Sequence, residues 1–332
     1  MILHSLFFKL IITTTVFHLL ISIYPVSRSF AVTDQTLRGH TNAVSSIDVS
    51  GDGRLIASGS IDQTVRVWDA QTGKAIQTLR GHKGEVYAVC FSPDNQLLAS
   101  SGYDQRVIIW SVKSGKQLRA LELKSWSVAI DFSPDNRRLA VAGQEGNTVI
   151  YDAQTGSQLQ TLETGSYVDA VAFSHDGRYL ATANGDIMFW DLKTGQKAKT
   201  LKGHRSSVIN ISFSPDGGFL ASASRDKTAR VWNVETGETI KVFETQTPIR
   251  VSYSPKPVEW KMPVTGVAFS PDGKMLATAT GRAVHLWDIA TGNQLRTLEG
   301  HSQSITSVVF MPDGRSLASS SLDGTVRIRA AR

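Results

Sequence analysis

A unit of about 40 residues repeats along this sequence, and that repetition constrains the fold more than any other feature. Each unit carries variants of Leu-x-Gly-His, Phe-Ser-Pro-Asp-Gly, Leu-Ala-Ser-x-Ser-x-Asp, Thr-Val-Arg-Val-Trp-Asp and Thr-Gly-Lys, in that order. One position near the end of each unit marks the period, and its occupants are Trp68, Trp110, Tyr151, Trp190, Trp232, Trp287 and Arg329. The steps between these positions are 42, 41, 39, 42, 55 and 42 residues. Seven units therefore account for residues 32–332, which leaves no room for another domain there.

The first unit predicts four short antiparallel strands. Polar and apolar residues alternate over 44–49, which is the period of a β-strand. Gly51-Asp52-Gly53 is typical of a hairpin turn, and residues 55–58, 64–68 and 75–79 are the three further strands. One such sheet, with two apolar faces, is not stable alone, but sheets stacked radially bury both faces. The sequence therefore predicts an all-β, seven-bladed β-propeller.

These residues resemble the WD-repeat (Trp-Asp repeat) family, and the resemblance covers Thr33 to Arg332. It is specific, because the Gly-His pair, the Trp-Asp pair and a period of about 40 to 45 residues occur together and repeatedly. The resemblance implies that each repeat begins with the outer strand of one blade and ends with the third strand of the next. Residues 33–38 would then supply the missing outer strand of the last blade, so that the N-terminal strand closes the ring.

The first 31 residues differ from the rest of the chain. Leu10 to Tyr24 is the uninterrupted part of an apolar segment, and as a helix its 15 residues would measure about 22 Å, short of a hydrocarbon core of ~30 Å. Ser29-Phe30-Ala31 is a tripeptide of the kind that signal peptidases cut after. We predict a signal peptide over 1–31. The alternative is an uncleaved anchor over Ile2 to Tyr24, with Lys9 reaching the membrane surface.

Both interpretations place residues 32–332 outside the cytoplasm, either periplasmic, extracellular, or held at a membrane and facing outward. The chain is then identified as a bacterial-type, exported member of the WD-repeat family. Its single cysteine, Cys90, permits no disulfide within the chain, but a folded propeller does not need one.

Composition and charge argue against several classes of function. The 35 Lys and Arg residues and 29 Asp and Glu residues give a formal charge of +6, and the basic residues are scattered singly. No nucleic-acid arm or polybasic membrane patch is therefore indicated. Paired Cys or His spacings typical of zinc sites are absent from the sequence. We expect no metal and no cofactor.

Each complete repeat contains His, Ser and Asp, which are the residue types of a hydrolase triad. An enzyme needs one active site, whereas this set recurs at the repeat period. The family resemblance instead implies a buried hydrogen-bond relay from Trp to Ser to His to Asp, and a buried polar set of this kind must be fully paired. The predicted relays are His40, Ser58, Asp62 and Trp68; His82, Ser100, Asp104 and Trp110; and His204, Ser222, Asp226 and Trp232.

Several repeats depart from this pattern. The last one keeps His301, Ser319 and Asp323 but has Arg329 at the Trp position, so its relay is incomplete. Repeats three, four and six lack the Gly-His pair, and repeats four and six also have a shortened turn between their second and third strands. We expect these three blades to be softer than the others.

In the WD-repeat family, partners usually dock on the narrower face, around the central channel. Two positions in the first strand of each repeat, and one just before the relay Asp, would point into that mouth. Large aromatic residues gather there in repeats two to four, and such residues, with Arg, are typical of binding hot spots. The predicted partner-binding residues of the mouth are Glu85, Tyr87, Tyr103, Trp126, Tyr167, Asp169 and Arg225. The alternative for Trp126 is burial in place of the missing Gly-His packing.

The step from Trp232 to Trp287 is 13 residues longer than its neighbours, and the excess lies in residues 245–263. This stretch contains four prolines and would form a long loop on the same narrow face. Because a long loop in a tight repeat is usually functional, Arg250, Tyr253 and Trp260 join the predicted partner-binding residues. A surface insertion without a binding role is the alternative.

The sequence as a whole favours a monomeric, non-catalytic scaffold that binds one or more proteins on its narrow face. One alternative is a propeller hydrolase, which would need a non-repeating cluster of acidic residues or histidines at the mouth, where only Glu85 and Asp169 qualify. The other is a small-ligand or sugar-binding sensor that uses the aromatic patch. The fold itself does not identify the partner.

Overall fold

Twenty-eight strands form seven four-stranded antiparallel sheets in the computed structural model, which describes residues 34–165, 167–244 and 262–332. The first three sheets each take four consecutive strands. The first sheet contains β2 (Val44–Val49), β3 (Leu55–Ser60), β4 (Thr64–Asp69) and β5 (Ala75–Arg80). The second contains β6 (Val86–Phe91), β7 (Leu97–Gly102), β8 (Arg106–Ser111) and β9 (Gln117–Glu122). The third contains β10 (Ser127–Phe132), β11 (Arg138–Gly143), β12 (Thr148–Asp152) and β13 (Gln158–Leu162).

The next three sheets follow the same plan. The fourth contains β14 (Ala170–Phe173), β15 (Tyr179–Ala183), β16 (Ile187–Asp191) and β17 (Gln196–Leu201). The fifth contains β18 (Val208–Phe213), β19 (Phe219–Ser224), β20 (Thr228–Asn233) and β21 (Thr239–Glu244). The sixth contains β22 (Val264–Phe269), β23 (Met275–Thr280), β24 (Ala283–Asp288) and β25 (Gln294–Leu298).

The seventh sheet joins the two ends of the described chain. It contains β26 (Ile305–Phe310), β27 (Ser316–Ser321) and β28 (Thr325–Ala330), followed in space by β1 (Gln35–Arg38). β1 pairs antiparallel with β28, with Gln35 opposite Ile328 and Arg38 opposite Thr325. The predicted closure by the N-terminal strand is therefore confirmed.

The seven sheets form a closed ring around a channel. The first strand of each sheet contacts the first strand of the next, and β26 in turn contacts β2. Residues from all seven of these strands line the channel. The seven-bladed propeller expected from the repeat is confirmed.

The hydrophobic core lies between neighbouring sheets rather than at one centre. Between the first two sheets, for example, Val65 and Leu79 pack with Val86, Leu98 and Ile108. These strands can bury both faces because each sheet is covered by a neighbour on either side, and burial of that apolar area drives the stacking. A one-residue register slip would turn the buried side chains outward.

The strands predicted in the first unit are confirmed, with small differences at their ends. β2 has the predicted bounds, and the other three strands extend one or two residues further than predicted. Gly53 has a φ of 70°, which explains why the turn between β2 and β3 contains glycine.

Two further points concern membrane-spanning helices and the N-terminal segment. In the part of the chain that the structure describes, no helix has the length and hydropathy required to cross a membrane. The predicted signal peptide over 1–31 lies outside the described residues and stays a prediction.

Candidate functional site

The relay residues meet within hydrogen-bond distance in each of the three repeats where the sequence predicts a complete set. In the first repeat, Trp68 Nε1 lies 2.8 Å from Ser58 Oγ, and Ser58 Oγ lies 2.8 Å from His40 Nε2. His40 Nδ1 lies 2.8 Å from a carboxylate oxygen of Asp62. The equivalent atoms of the second and fifth repeats are 2.7 to 2.9 Å apart. The relay side chains predicted from the sequence are thus brought together.

The protonation of a relay follows from its surroundings. Burial lowers the pKa of His40, although hydrogen bonding to Asp62 opposes that shift, so the imidazole is neutral. For Asp62, burial alone would raise the pKa, but hydrogen bonds from Thr64, His40 and the Thr41 N–H lower it to about 2. Neutral His40 then donates through Nδ1 to the Asp62 carboxylate and accepts the Ser58 hydroxyl proton at Nε2. The serine oxygen in turn accepts from the indole N–H, and every member is paired.

The relay serines are poorly placed for nucleophilic catalysis. Ser58, Ser100 and Ser222 are 0 % exposed. A nucleophile must reach its substrate, and these hydroxyls are enclosed between sheets with their hydrogen bonds already committed. The hydrogen bonds of a relay instead fix the loop before the blade to the second and third strands of that blade.

Other repeats replace the relay in different ways. In the fourth and sixth repeats a threonine stands in place of the serine: Thr182 accepts the Trp190 indole N–H, and Thr278 accepts that of Trp287, each at 2.9 Å. In the last repeat His301 still contacts Ser319 at 3.0 Å and Asp323 at 2.9 Å. Arg329 fills the Trp position there and is 3 % exposed.

We expect His204→Ala to lower the free energy of unfolding by roughly 1 to 3 kcal/mol. The substitution leaves Ser222 and Asp226 without their imidazole partner, and a buried polar group that loses its partner costs about that much. Urea denaturation measures the change. The exposed His175→Ala is the matched control and should have little effect. A variant as stable as the parent chain would contradict a structural role for the relay.

We expect Arg329→Trp to stabilise the protein by roughly 0.5 to 1.5 kcal/mol, because an indole N–H could complete the last relay at Ser319. Two guanidinium nitrogens of Arg329, Nε and Nη2, are buried without a hydrogen-bond partner, and burial lowers the pKa of this side chain. Gly300 would lie beside the introduced indole ring, as Gly39 lies beside the ring of Trp68. Arg329→Leu also removes the unpaired guanidinium nitrogens but brings no indole N–H. Thermal melts of Arg329→Trp and Arg329→Leu therefore separate the effect of the new hydrogen bond from the effect of removing the arginine. Equal melting points for the two variants would show that the indole N–H adds nothing.

The mouth of the channel is the second candidate site. A cavity of about 360 Å³ opens there. Its lining comes from six of the seven first strands or from the turns beside them: Ala43, Ser45, Ile61, Tyr87, Val128, Tyr167, Asp169, Ile209, Arg225, Thr306 and Leu322. Of the predicted partner-binding residues, Tyr87, Tyr167, Asp169 and Arg225 line this cavity.

Four aromatic side chains form one cluster at this mouth. The Trp126 ring centroid lies 5.6 Å from that of Tyr87 and 6.1 Å from those of Tyr103 and Tyr167. Tyr87 donates a hydrogen bond of 2.7 Å to the carboxylate of Glu85. Burial and this acceptor raise the pKa of the Tyr87 hydroxyl, so it remains protonated. We call Tyr87, Tyr103, Trp126 and Tyr167 the aromatic rim.

Trp126 is only half-buried, so full burial in place of the missing Gly-His packing is not observed. Its indole N–H donates to the Gln144 side chain. Beneath it lies a cavity of about 210 Å³, where the third repeat has Lys124, Val141 and Tyr151 at the positions of the relay His, Ser and Trp. Trp126 thus covers a space that the relay fills in other blades.

The channel below the mouth carries carboxylates that the sequence reasoning missed. Asp48 and Asp131 accept hydrogen bonds of 2.7 Å from the N–H groups of Phe91 and Phe173 in the next blades. Burial raises the pKa of Asp48 to about 6 and that of Asp131 to about 7. The available signal was an aspartate at the same position, next to last, in two first strands, Asp48 in β2 and Asp131 in β10.

Some predicted residues lie beyond what the structure describes. Arg250, Tyr253 and Trp260 belong to residues 245–261, outside the described residues, and their binding role stays a prediction. Among the described residues, no group of three or more His, Cys, Asp or Glu side chains is arranged to hold a metal ion.

Sequence comparisons agree with this architecture. Residues 86–262, more than half of the chain, match the family described as the second β-propeller of echinoderm microtubule-associated protein. Residues 32–69, 258–288 and 292–329 match the family described as WD domain, G-beta repeat.

Individual relatives cover part of the chain. WD repeat and SOCS box-containing protein 1 of Xenopus tropicalis is 39% identical over 110 residues, which are 32% of this chain and 23% of that protein. Periodic tryptophan protein 2 homolog of Schizosaccharomyces pombe is 31% identical over 116 residues, which are 35% of this chain and 12% of that protein. The chain thus covers less than a quarter of either relative, and both come from eukaryotes. On the family matches, the repeat and the seven closed sheets, this chain belongs to the WD40-repeat family of β-propellers.

Proposed function

We propose that this protein is a non-catalytic scaffold that binds partner proteins at the mouth of its channel. WD-repeat propellers generally act as protein-interaction scaffolds, which supports this class of function. The observation that carries the proposal is the aromatic rim, four large side chains gathered at one mouth of the channel.

The exposure of the rim supports binding rather than packing. Tyr103 is 60% exposed, and the other three rings are half-buried. Aromatic rings that touch one another yet keep open faces can bury a large area on a partner without losing much side-chain freedom. Exposed aliphatic residues such as Leu118 and Leu159 lie instead on outer strands, in different blades.

Site-specific photo-crosslinking tests this proposal. A benzophenone amino acid placed at Tyr103 should capture discrete proteins in cells that make the full chain. The same amino acid at Leu118, which is 50% exposed on an outer strand, is the matched control and should capture none of them. Equal labelling from both positions would contradict docking at the mouth.

We also propose that residues 32–332 act outside the cytoplasm, as a bacterial-type exported scaffold. The apolar N-terminal segment and Ser29-Phe30-Ala31 support export, whereas the relatives described above are eukaryotic. N-terminal sequencing of the mature protein should begin at Val32. A membrane-bound chain that begins at Met1 would replace cleavage with the anchor alternative, and a cytoplasmic chain would overturn both.

A further inference from the structure

The cavity of about 210 Å³ in the third blade is separate from the mouth of the channel. The described residues that line it include none that line the mouth cavity. It occupies the place of the relay, because Lys124, Val141 and Tyr151 stand at the relay His, Ser and Trp positions. Glu145 stands at the relay Asp position of this repeat. All four side chains line the cavity, so the loss of the relay has left an open space with new polar groups around it.

The Tyr151 hydroxyl has lost the acceptor that other blades provide at this place. In the first blade the Trp68 indole N–H donates to Ser58 at 2.8 Å. Val141 replaces that serine in the third blade, and its side chain has no polar atom. Burial and, to a smaller extent, the negative charge of Glu145 raise the pKa of Tyr151, so its hydroxyl stays protonated. No described residue accepts this proton, and a ligand in the cavity would supply the missing acceptor.

Two opposite charges also line this cavity without being paired. In the complete relays the His and Asp side chains are in direct contact. Lys124 and Glu145, which replace them, form no ion pair with each other or with any other described residue. Glu122, a further charged residue of the lining, is already paired with Arg106 at 3.0 Å. The cavity therefore offers one free positive charge and one free negative charge to a ligand.

The rest of the lining limits the size and character of such a ligand. A cavity of about 150 Å³ holds one benzene molecule, so about 210 Å³ holds a molecule only slightly larger. Leu123, Trp126 and Val149 contribute apolar surface, and Asn147 contributes an amide. A small molecule with one cationic group, one anionic group and a short apolar part matches this combination.

We propose that this cavity binds a free amino acid. The carboxylate of the amino acid lies at Lys124, its ammonium group lies at Glu145, and its side chain lies against Trp126. Each charge then meets one of opposite sign in a partly dehydrated space, where the attraction is stronger than in water. A neutral sugar would leave both charges of the cavity unpaired. This inference goes beyond the proposed function, because the site lies apart from the docking surface at the mouth.

Ligand-observed NMR with the full-length chain tests the proposal. The probes are the common L-amino acids, each offered singly, and D-glucose as a neutral compound of similar size. At least one amino acid should bind, whereas D-glucose should not. The tightest-binding amino acid is then compared with two analogues, the acid that lacks its amino group and the amine that lacks its carboxylate. Each analogue should bind about tenfold more weakly, because one charged contact is lost.

Substitutions in the cavity assign each charge of the ligand to its partner. Lys124→Met should bind the amino acid and the amine equally, because the partner of the carboxylate is gone. Glu145→Gln should likewise bind the amino acid and the deaminated acid equally. The exposed residues Lys116 and Glu163 do not line the cavity, so Lys116→Met and Glu163→Gln are matched controls that should keep the parent preferences.

Three results would overturn the inference. They are a lack of binding by every amino acid, equal binding of the amino acid and its two analogues by the parent chain, and an unchanged preference in either Lys124→Met or Glu145→Gln. Binding of D-glucose without any amino acid would assign the cavity to neutral polyhydroxylated ligands instead. Capture of partners at Tyr103 is a separate result, so docking at the mouth stands or fails independently of this site.

Discussion

Deletion of residues 33–38 is expected to destabilise the propeller by roughly 4 kcal/mol or more and to make its unfolding less cooperative. The deletion removes β1, the outer strand of the seventh sheet, and with it the pairing to β28. Leu37, which is 2% exposed and packs with Val44, Val326 and Ile328, is lost as well. Loss of one buried leucine side chain alone costs about 2 to 5 kcal/mol, and most domains are stable by only about 5 to 15 kcal/mol.

Urea denaturation followed by circular dichroism measures the effect, and light scattering detects association through the exposed edge of β28. Leu37→Ala and Leu79→Ala make a matched pair, because the two leucines occupy the same position in the outer strands of different sheets. Each should cost less than the deletion. A truncated chain with the parent midpoint and cooperativity would mean that another segment closes the ring.

Tyr87→Ala and Tyr167→Ala are each expected to weaken partner binding by roughly 1 to 4 kcal/mol, the range for aromatic hot spots. Each ring packs on one side against Trp126 and lines the mouth cavity. Truncation removes contact area from the partner while leaving the sheets intact, so the melting point should change little.

The measurement is the dissociation constant for the partner identified by crosslinking at Tyr103. Leu159→Ala is the control, since Leu159 is 53% exposed on an outer strand and does not line the mouth cavity. Trp126 is less suitable for this test, because it also covers the cavity of the third blade and its loss would lower stability. Normal binding by both tyrosine variants would move the docking site away from the mouth, with residues 245–263 as the next candidate.

Most of the fold could be predicted from the sequence because variants of one residue pattern recur in seven units. Alternation over Val44–Val49 fixes which side chains face a neighbouring sheet, and the turn at Gly53 fixes the hairpin. The missing outer strand of the last blade pointed to residues 33–38, and β1 does pair with β28. When a position recurs in every unit, the structural role assigned to it in one blade can be transferred to the other blades without knowledge of distances.

Features that depend on differences between blades were harder to predict. The threonines at 182 and 278 take over from the relay serine, because either hydroxyl can accept the indole N–H. The channel carboxylates Asp48 and Asp131 lie in first strands of separate repeats, and they line one cavity only when the ring closes. The contacts of Trp126 with three tyrosines likewise depend on side-chain directions in the loop that replaces a Gly-His pair.

A paired measurement on two variants tests the central claim most directly, namely that the recurring residues hold the propeller together and the residues at its mouth bind partners. Thermal unfolding and the dissociation constant for the crosslinked partner are measured for His204→Ala and Tyr167→Ala. The account predicts that His204→Ala melts at a lower temperature but binds normally when folded, and that Tyr167→Ala melts normally but binds weakly. If His204→Ala keeps its stability and loses binding, or Tyr167→Ala loses stability and keeps binding, the assignment of the two sets of residues is wrong.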